Sequence, residues 1–158
     1  MNRAEQLRIP AAIAIASLVA YVLGFYFTSL FPGYLPKIGG LWSAISAIVV
    51  TQISRQEARS SASLRVLGSA IGAATSAVYL SFLPFHPVGM ALAIFATGVI
   101  CTALNIPSHG RLAAITVIVV IAASLDPGLN PLLNALLRFV ESCIGTAVAL
   151  LGLLLWRR

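Results

Sequence analysis

Charge is what this chain has least of. Only 9% of its 158 residues are charged, and four of them are acidic. Soluble domains carry about a quarter charged residues. With 59% hydrophobic residues and a mean hydropathy of +0.99, a chain this short cannot hide its apolar surface in one aqueous core. A water-soluble domain is excluded, and lipid is the expected solvent. Cysteine and histidine are scarce too, with two of each. Cys101 and Cys143 fall inside apolar segments, where a thiol behaves as a small buried hydrophobe. No Cys/His pattern offers a metal site. No run of Lys and Arg interleaved with aromatics points to nucleic acid. The acidic residues are Glu5, Glu57, Asp126 and Glu141, and only Glu141 falls in an apolar run. There is no carboxylate pair in lipid, no nucleophile beside a base and no phosphate loop. The sequence therefore points away from an enzyme, and it implies no cofactor or metal.

What the chain does have is long apolar runs. A span needs roughly 20 apolar residues. Breaks at Pro, Gly and charge divide the chain into six candidates, at about 10–31, 38–54, 62–84, 87–105, 109–125 and 131–156. The connectors "FPGYLPK", "SRQEARSS", "FHP", "NIPSH" and "DPGLNP" are short, and proline recurs where it can end or start a helix without breaking a needed bond. The "GG" at 39–40 leaves the start of the second span undefined. The runs are continuous and do not alternate, which argues against strands. The N-terminal apolar body continues through Phe31, too long for a signal-peptide core. The expected fold is all-α, a polytopic membrane protein built as a bundle of six transmembrane helices in one domain, 1–158.

Orientation follows from the basic residues, which favour the cytoplasmic side. Arg3 and Arg8 precede the first span, Arg55 and Arg59 follow the second, Arg111 opens the fifth, and Arg157 and Arg158 follow the last. With six spans these share one side, and only Lys37 lies opposite. Both termini are expected in the cytoplasm, in a bacterial-type inner (plasma) membrane. Trp42, Trp156 and Tyr34 suit interfacial anchoring, and His86 and His109 are expected to be solvated loop residues.

Arg65 and Arg138 are not explained by topology. They open two similar octets, "RVLGSAIG" and "RFVESCIG", 73 residues apart, which share Arg, Ser, Ile and Gly. Each octet falls in the third span of its half. An odd number of spans per half makes the second half enter from the opposite face, so the pattern suggests an inverted repeat of three plus three helices, with half-repeats 1–84 and 85–158. Such repeats form substrate sites near the midplane. Arg65 has two readings, a side chain snorkelling to the headgroups or one lining a path. Arg138 sits deeper, about two turns into its span. It either pairs with Glu141 at i+3 or faces a polar cavity, and the two readings are compatible. Gly68 and Gly72 form a G-x-x-x-G, with Gly145 and Gly152 on the sixth span, and small residues at such spacing let helices approach closely. Ser43, Ser46, Thr51, Gln52 and Ser54 either satisfy one another or line a polar path.

The stretch "LWSAISAIVVTQISRQEARSSASLRVLGSAIGAATSAV" (41–78) resembles the signature of the fusaric acid resistance and aromatic acid exporter family, a Trp-led span and polar turn followed by R-x-x-G-[TS]-x-x-G. "RFVESCIGTAVALL" (138–151) resembles the closing helix of the same membrane unit. Plant aluminium-activated malate transporters look related. The resemblance implies a six-helix bundle exporting aromatic or other organic carboxylic acids. Arg65 and Arg138 would attract the anion, with Ser69 and Ser142 in the same pathway, and Glu141 would hold Arg138. Gly68, Gly72 and Gly145 would pack helices. Many members of the family carry a cytoplasmic domain or a second membrane unit, so a single unit is expected to act as a homodimer or higher homo-oligomer. The expected partners are the lipid bilayer and a small organic anion. The competing expectation is a non-transporting scaffold or accessory subunit of a larger assembly.

Overall fold

The computed structural model describes residues 3–52, 54–125 and 129–155. Trp156, Arg157 and Arg158, expected to anchor and orient the end of the chain, lie outside the described residues, as does Asp126. The described chain is all-α: α1 (Arg3–Ser29), α2 (Pro36–Val50), α3 (Arg55–Phe82), α4 (Pro87–Ala103), α5 (Gly110–Ala123) and α6 (Pro131–Leu155), with a 3-10 turn at Pro107–His109 leading into α5. Each expected span overlaps one helix, but the lengths fall into two groups. At 27, 28 and 25 residues, α1, α3 and α6 extend about 38–42 Å, beyond the roughly 30 Å of a bilayer's hydrocarbon. These three are long and apolar enough to cross a membrane. The other three have 15, 17 and 14 residues and reach only about 21–26 Å.

Local chemistry sets the boundaries. Pro36 and Pro87 begin α2 and α4 at the position where a missing N–H costs nothing. At the α2–α3 junction the Ser54 and Glu57 side chains cap each other's backbone N–H, at 3.1 and 3.3 Å. This reciprocal capping box makes most of "SRQEARSS", expected to be a connector, the first turns of α3. α4 closes with Asn105 at φ 59°, while the Ile106 N–H bonds the Cys101 carbonyl at 2.8 Å and the Asn105 N–H that of Thr102 at 3.0 Å. This is a Schellman closure, and Asn tolerates its left-handed position. Gly39 and Gly40 do not delay α2; both lie inside it, buried.

The chain packs as two compact units, with boundaries inside α3 and α6: Met1–Ser63 with Glu141–Arg158, and Leu64–Val140. In the first, α1 packs on α2, and the core is made by Ala16, Ala20, Ala47, Val50, Ala62 and Ala149. In the second, Ala73, Ala77, Val120 and Ala135 form one cluster and Ala93, Val117 and Ile121 another. Small residues lie inside, while Leu18, Phe82, Phe95 and Leu132 are each at least 65% exposed. An aqueous fold would reverse this. In lipid no hydrophobic force drives helices together, so close approach over small residues does the work, and the large side chains face the solvent they match. The exposure pattern and the apolar helices describe a membrane-embedded protein.

Two expectations about surface residues are corrected. Trp42 is buried, 3% exposed, because its ring fills the interior side of α2 where an interfacial anchor had been expected. His109 is buried as well, 8% exposed, since the Pro107–His109 turn folds directly onto the start of α5. His86 matches its expectation in being exposed, and its Nδ1 accepts from the Val88 N–H at 3.2 Å to cap α4.

Candidate functional site

The buried polar residues are concentrated on α3 and α6. On α3, Arg65, Ser69 and Ser76 are fully buried, spaced so that they fall on one face of the helix. On α6 the buried polar side chains are Asn134, Arg138, Glu141, Ser142 and Thr146. Several hydroxyls of α2, α3 and α5 are satisfied locally. Ser46, Ser76, Thr75 and Thr116 each donate to the carbonyl four residues earlier, at 2.7–2.9 Å, as do Thr51 and Ser81. That back-bonding lets a hydroxyl enter a membrane helix at low cost. Ser46 and Thr51, two of the hydroxyls weighed from the sequence, each bond a carbonyl of their own helix.

The unit Leu64–Val140 holds both unexplained arginines. Arg65 and Arg138 are 0% and 1% exposed. The Arg65 side chain is thus enclosed by protein, with no stretch of it reaching out along the surface as a snorkelling arginine would. α6 begins at Pro131, and the Asn130 side chain caps it by accepting from the N–H groups of Leu132 and Leu133 at 2.9 and 3.2 Å. Arg138 therefore sits about two turns inside the helix, as its sequence position implied. The Thr116 hydroxyl approaches that of Ser69 at 3.5 Å, the outer limit of a hydrogen bond. The α3 glycines face α5: a Cβ on Gly68 would crowd Leu112 and the His109 carbonyl, and one on Gly72 would overlap the Ala113 carbonyl.

The other unit holds Glu141, Ser142 and Gly145. Glu141 is fully buried, and Thr28, near the end of α1, donates to its Oε1 at 2.6 Å. Gly39 on α2 closes over this pair, since a Cβ there would overlap the Thr28 hydroxyl and crowd Glu141. A Cβ on Gly145 would run into the Ser43 carbonyl, bringing α6 against α2. Gly152 is different, with open space where its Cβ would be.

Among the buried polar residues not singled out from the sequence are Asn134 and Thr28. Asn134 stands one turn before Arg138 in "PLLNALLRF", and a lone amide in so apolar a run was the available signal. Thr28 is 113 residues from Glu141, and no local pattern announces that pairing. Among the described residues there is no cluster of His, Cys, Asp and Glu able to hold a metal ion.

A family model described as fusaric acid resistance protein-like matches residues 15–152. Neither the curated proteins nor the solved structures contain a significant match.

Proposed function

Because the chain belongs to the fusaric acid resistance protein-like family, we propose that it exports organic anions, aromatic or other carboxylic acids, across the inner membrane. Members of this family are membrane transporters rather than enzymes. The observation that carries the finer reading is the burial of two guanidinium groups, Arg65 and Arg138, in the single unit Leu64–Val140. A guanidinium keeps its charge in a protein interior, and paired arginines select anions in membrane pathways. Arg65 and Arg138 attract the carboxylate, and Ser69 offers a hydroxyl one turn from Arg65 on α3. Ser142 and Glu141 extend the polar face of α6.

All six helices cross the bilayer in this reading, in an inverted three-plus-three arrangement with both termini cytoplasmic. The exposed Arg55, Arg59 and Arg111 then share the inner side, and Lys37 lies outside. Helices of 14–17 residues are short for a bilayer, and oligomerisation is one way to accommodate them. The working form is accordingly a homodimer or higher homo-oligomer.

Flux of benzoate from proteoliposomes tests the function. The wild-type protein is expected to carry it, and Arg138→Ala to reduce the rate at least about tenfold, the scale of a lost charged interaction of 1.5–3 kcal/mol. Undiminished benzoate flux in a correctly inserted Arg138→Ala protein would remove Arg138 from the pathway.

A further inference from the structure

Asn134 is buried in the unit Leu64–Val140, 1% exposed, and its orientation is fixed by its neighbours. Its Nδ2 donates to the Val120 carbonyl at 3.2 Å and to the Ser124 hydroxyl at 2.6 Å, both at the end of α5. A main-chain carbonyl only accepts, so the NH₂ side of the amide must face Val120. The Oδ1 is thereby turned away from α5. It is buried, and no donor reaches it among the described residues. Burying a carbonyl oxygen without a donor is unfavourable, and a leucine at this position would avoid that penalty. The NH₂ side accounts for the anchoring of α6 to α5, and the oxygen bonds nothing among the described residues.

Arg138 lies four positions after Asn134, which makes them neighbours on one face of α6, about 6 Å apart along its axis. Resting on the anion-export reading above, we propose that Asn134 is a specificity-determining residue, whose Oδ1 accepts a hydrogen bond from the transported anion. The ligand class it favours is a carboxylate carrying an N–H or O–H donor at the far end of a short rigid body. The carboxylate is drawn to Arg138, and the donor meets the amide oxygen one turn away. An anion of the same shape without the donor would leave the oxygen unsatisfied, which is how a polar site rejects an analogue.

The test compares para-aminobenzoate with para-toluate, two carboxylates of nearly equal shape that differ in whether the far group can donate. Wild-type proteoliposomes are expected to favour para-aminobenzoate about 2- to 10-fold, the range of one neutral hydrogen bond. Asn134→Leu is expected to bring the ratio to about one while para-toluate flux persists. Ser124→Ala removes one partner of Nδ2 but leaves Oδ1 in place, so it is expected to keep the wild-type ratio whatever it does to stability. Equal wild-type rates for the two anions overturn the proposal and leave export intact, and they do so even if Asn134→Leu fails to fold. An unchanged ratio in Asn134→Leu, or a parallel fall for both anions, overturns it too, because Asn134 would then serve only the packing of α6. If the wild-type protein moves neither anion, nor benzoate, the export reading fails and this inference with it.

Discussion

Thr28 donates a 2.6 Å hydrogen bond to Glu141 Oε1, joining α1 to α6 at a point where both side chains are fully buried. A carboxylate in a membrane protein's interior is costly unless its oxygens are met by donors. Thr28→Val keeps the side chain's shape and removes the donor. Hydrogen bonds within membranes average only about 0.6 kcal/mol, whereas a hydrogen bond to a charged group is worth about 1.5–3 kcal/mol. A loss of about 1–2 kcal/mol is expected in Thr28→Val, with Thr28→Ser close to wild type. Thermal unfolding in detergent reads the difference, and equal melting of Thr28→Val and wild type would show that this bond does not hold α6.

The glycines divide by what a Cβ would meet. Gly72 faces the Ala113 carbonyl and Gly145 the Ser43 carbonyl, both backbone atoms that cannot rotate away. Gly72→Ala and Gly145→Ala are each expected to cost about 1–3 kcal/mol, the range for overpacking a tight interface. Gly98 and Gly152 have nothing within 4 Å, so their replacement by Ala is expected to be neutral or to stabilise by about 0.5–1 kcal/mol through helix propensity. Melting temperatures of the four variants in the same detergent check the contrast.

Lys37 and Arg59 are both exposed, and the proposed orientation puts them on opposite sides of the membrane. Single cysteines at these positions, in a protein whose Cys101 and Cys143 are replaced by Ala, are expected to label from opposite sides. A membrane-impermeant maleimide added to intact cells should reach position 37, and position 59 only after permeabilisation. Labelling of both from one side would mean that α2 does not cross.

Arg65 is enclosed by protein, so its charge has to act inside the bundle. Arg65→Ala is expected to lower benzoate flux by about tenfold, the effect of losing one charged interaction. Arg65→Lys should recover part of it, since lysine restores the charge without the planar fork. Loss of flux in Arg65→Ala with no recovery in Arg65→Lys would assign the residue to packing geometry rather than to charge.

Asn105 holds the left-handed position that closes α4. Asn105→Gly is expected to be tolerated, and Asn105→Val to destabilise by about 1–2 kcal/mol, because a β-branched side chain clashes at positive φ. Thermal unfolding distinguishes the two.

Much of this was readable in the one-dimensional pattern, for physical reasons. Proline and glycine mark helix boundaries wherever they act on their own backbone, and so six helices were found in the right order. The α2–α3 connector was misjudged because a capping box turns a polar stretch into helix, and its charges mask the "S-x-x-E" signal. Arg65, Arg138 and Glu141 stood out because ionisable groups are rare in apolar runs. Serines and threonines looked like candidates for a polar path, but two of them, Ser46 and Thr51, bond the carbonyl one turn back. The expected pairing of Glu141 with Arg138 comes from their spacing along one helix. Thr28, Glu141's hydrogen-bond partner in α1, is separated from it by most of the chain, and no periodicity carries that information.

Composition determined the solvent and the continuous apolar runs the helical class, because burying this much apolar chain leaves few alternatives, while the motifs at 41–78 and 138–151 carried the resemblance to the family. Tertiary structure decided which faces turn inward. It buried Trp42 and His109 and enclosed Arg65. It also set Gly39 over the Thr28–Glu141 bond and left the Asn134 oxygen without a donor among the described residues. Each of these depends on where a neighbouring helix passes within a few ångströms, a distance set by packing and absent from the order of residues along the chain.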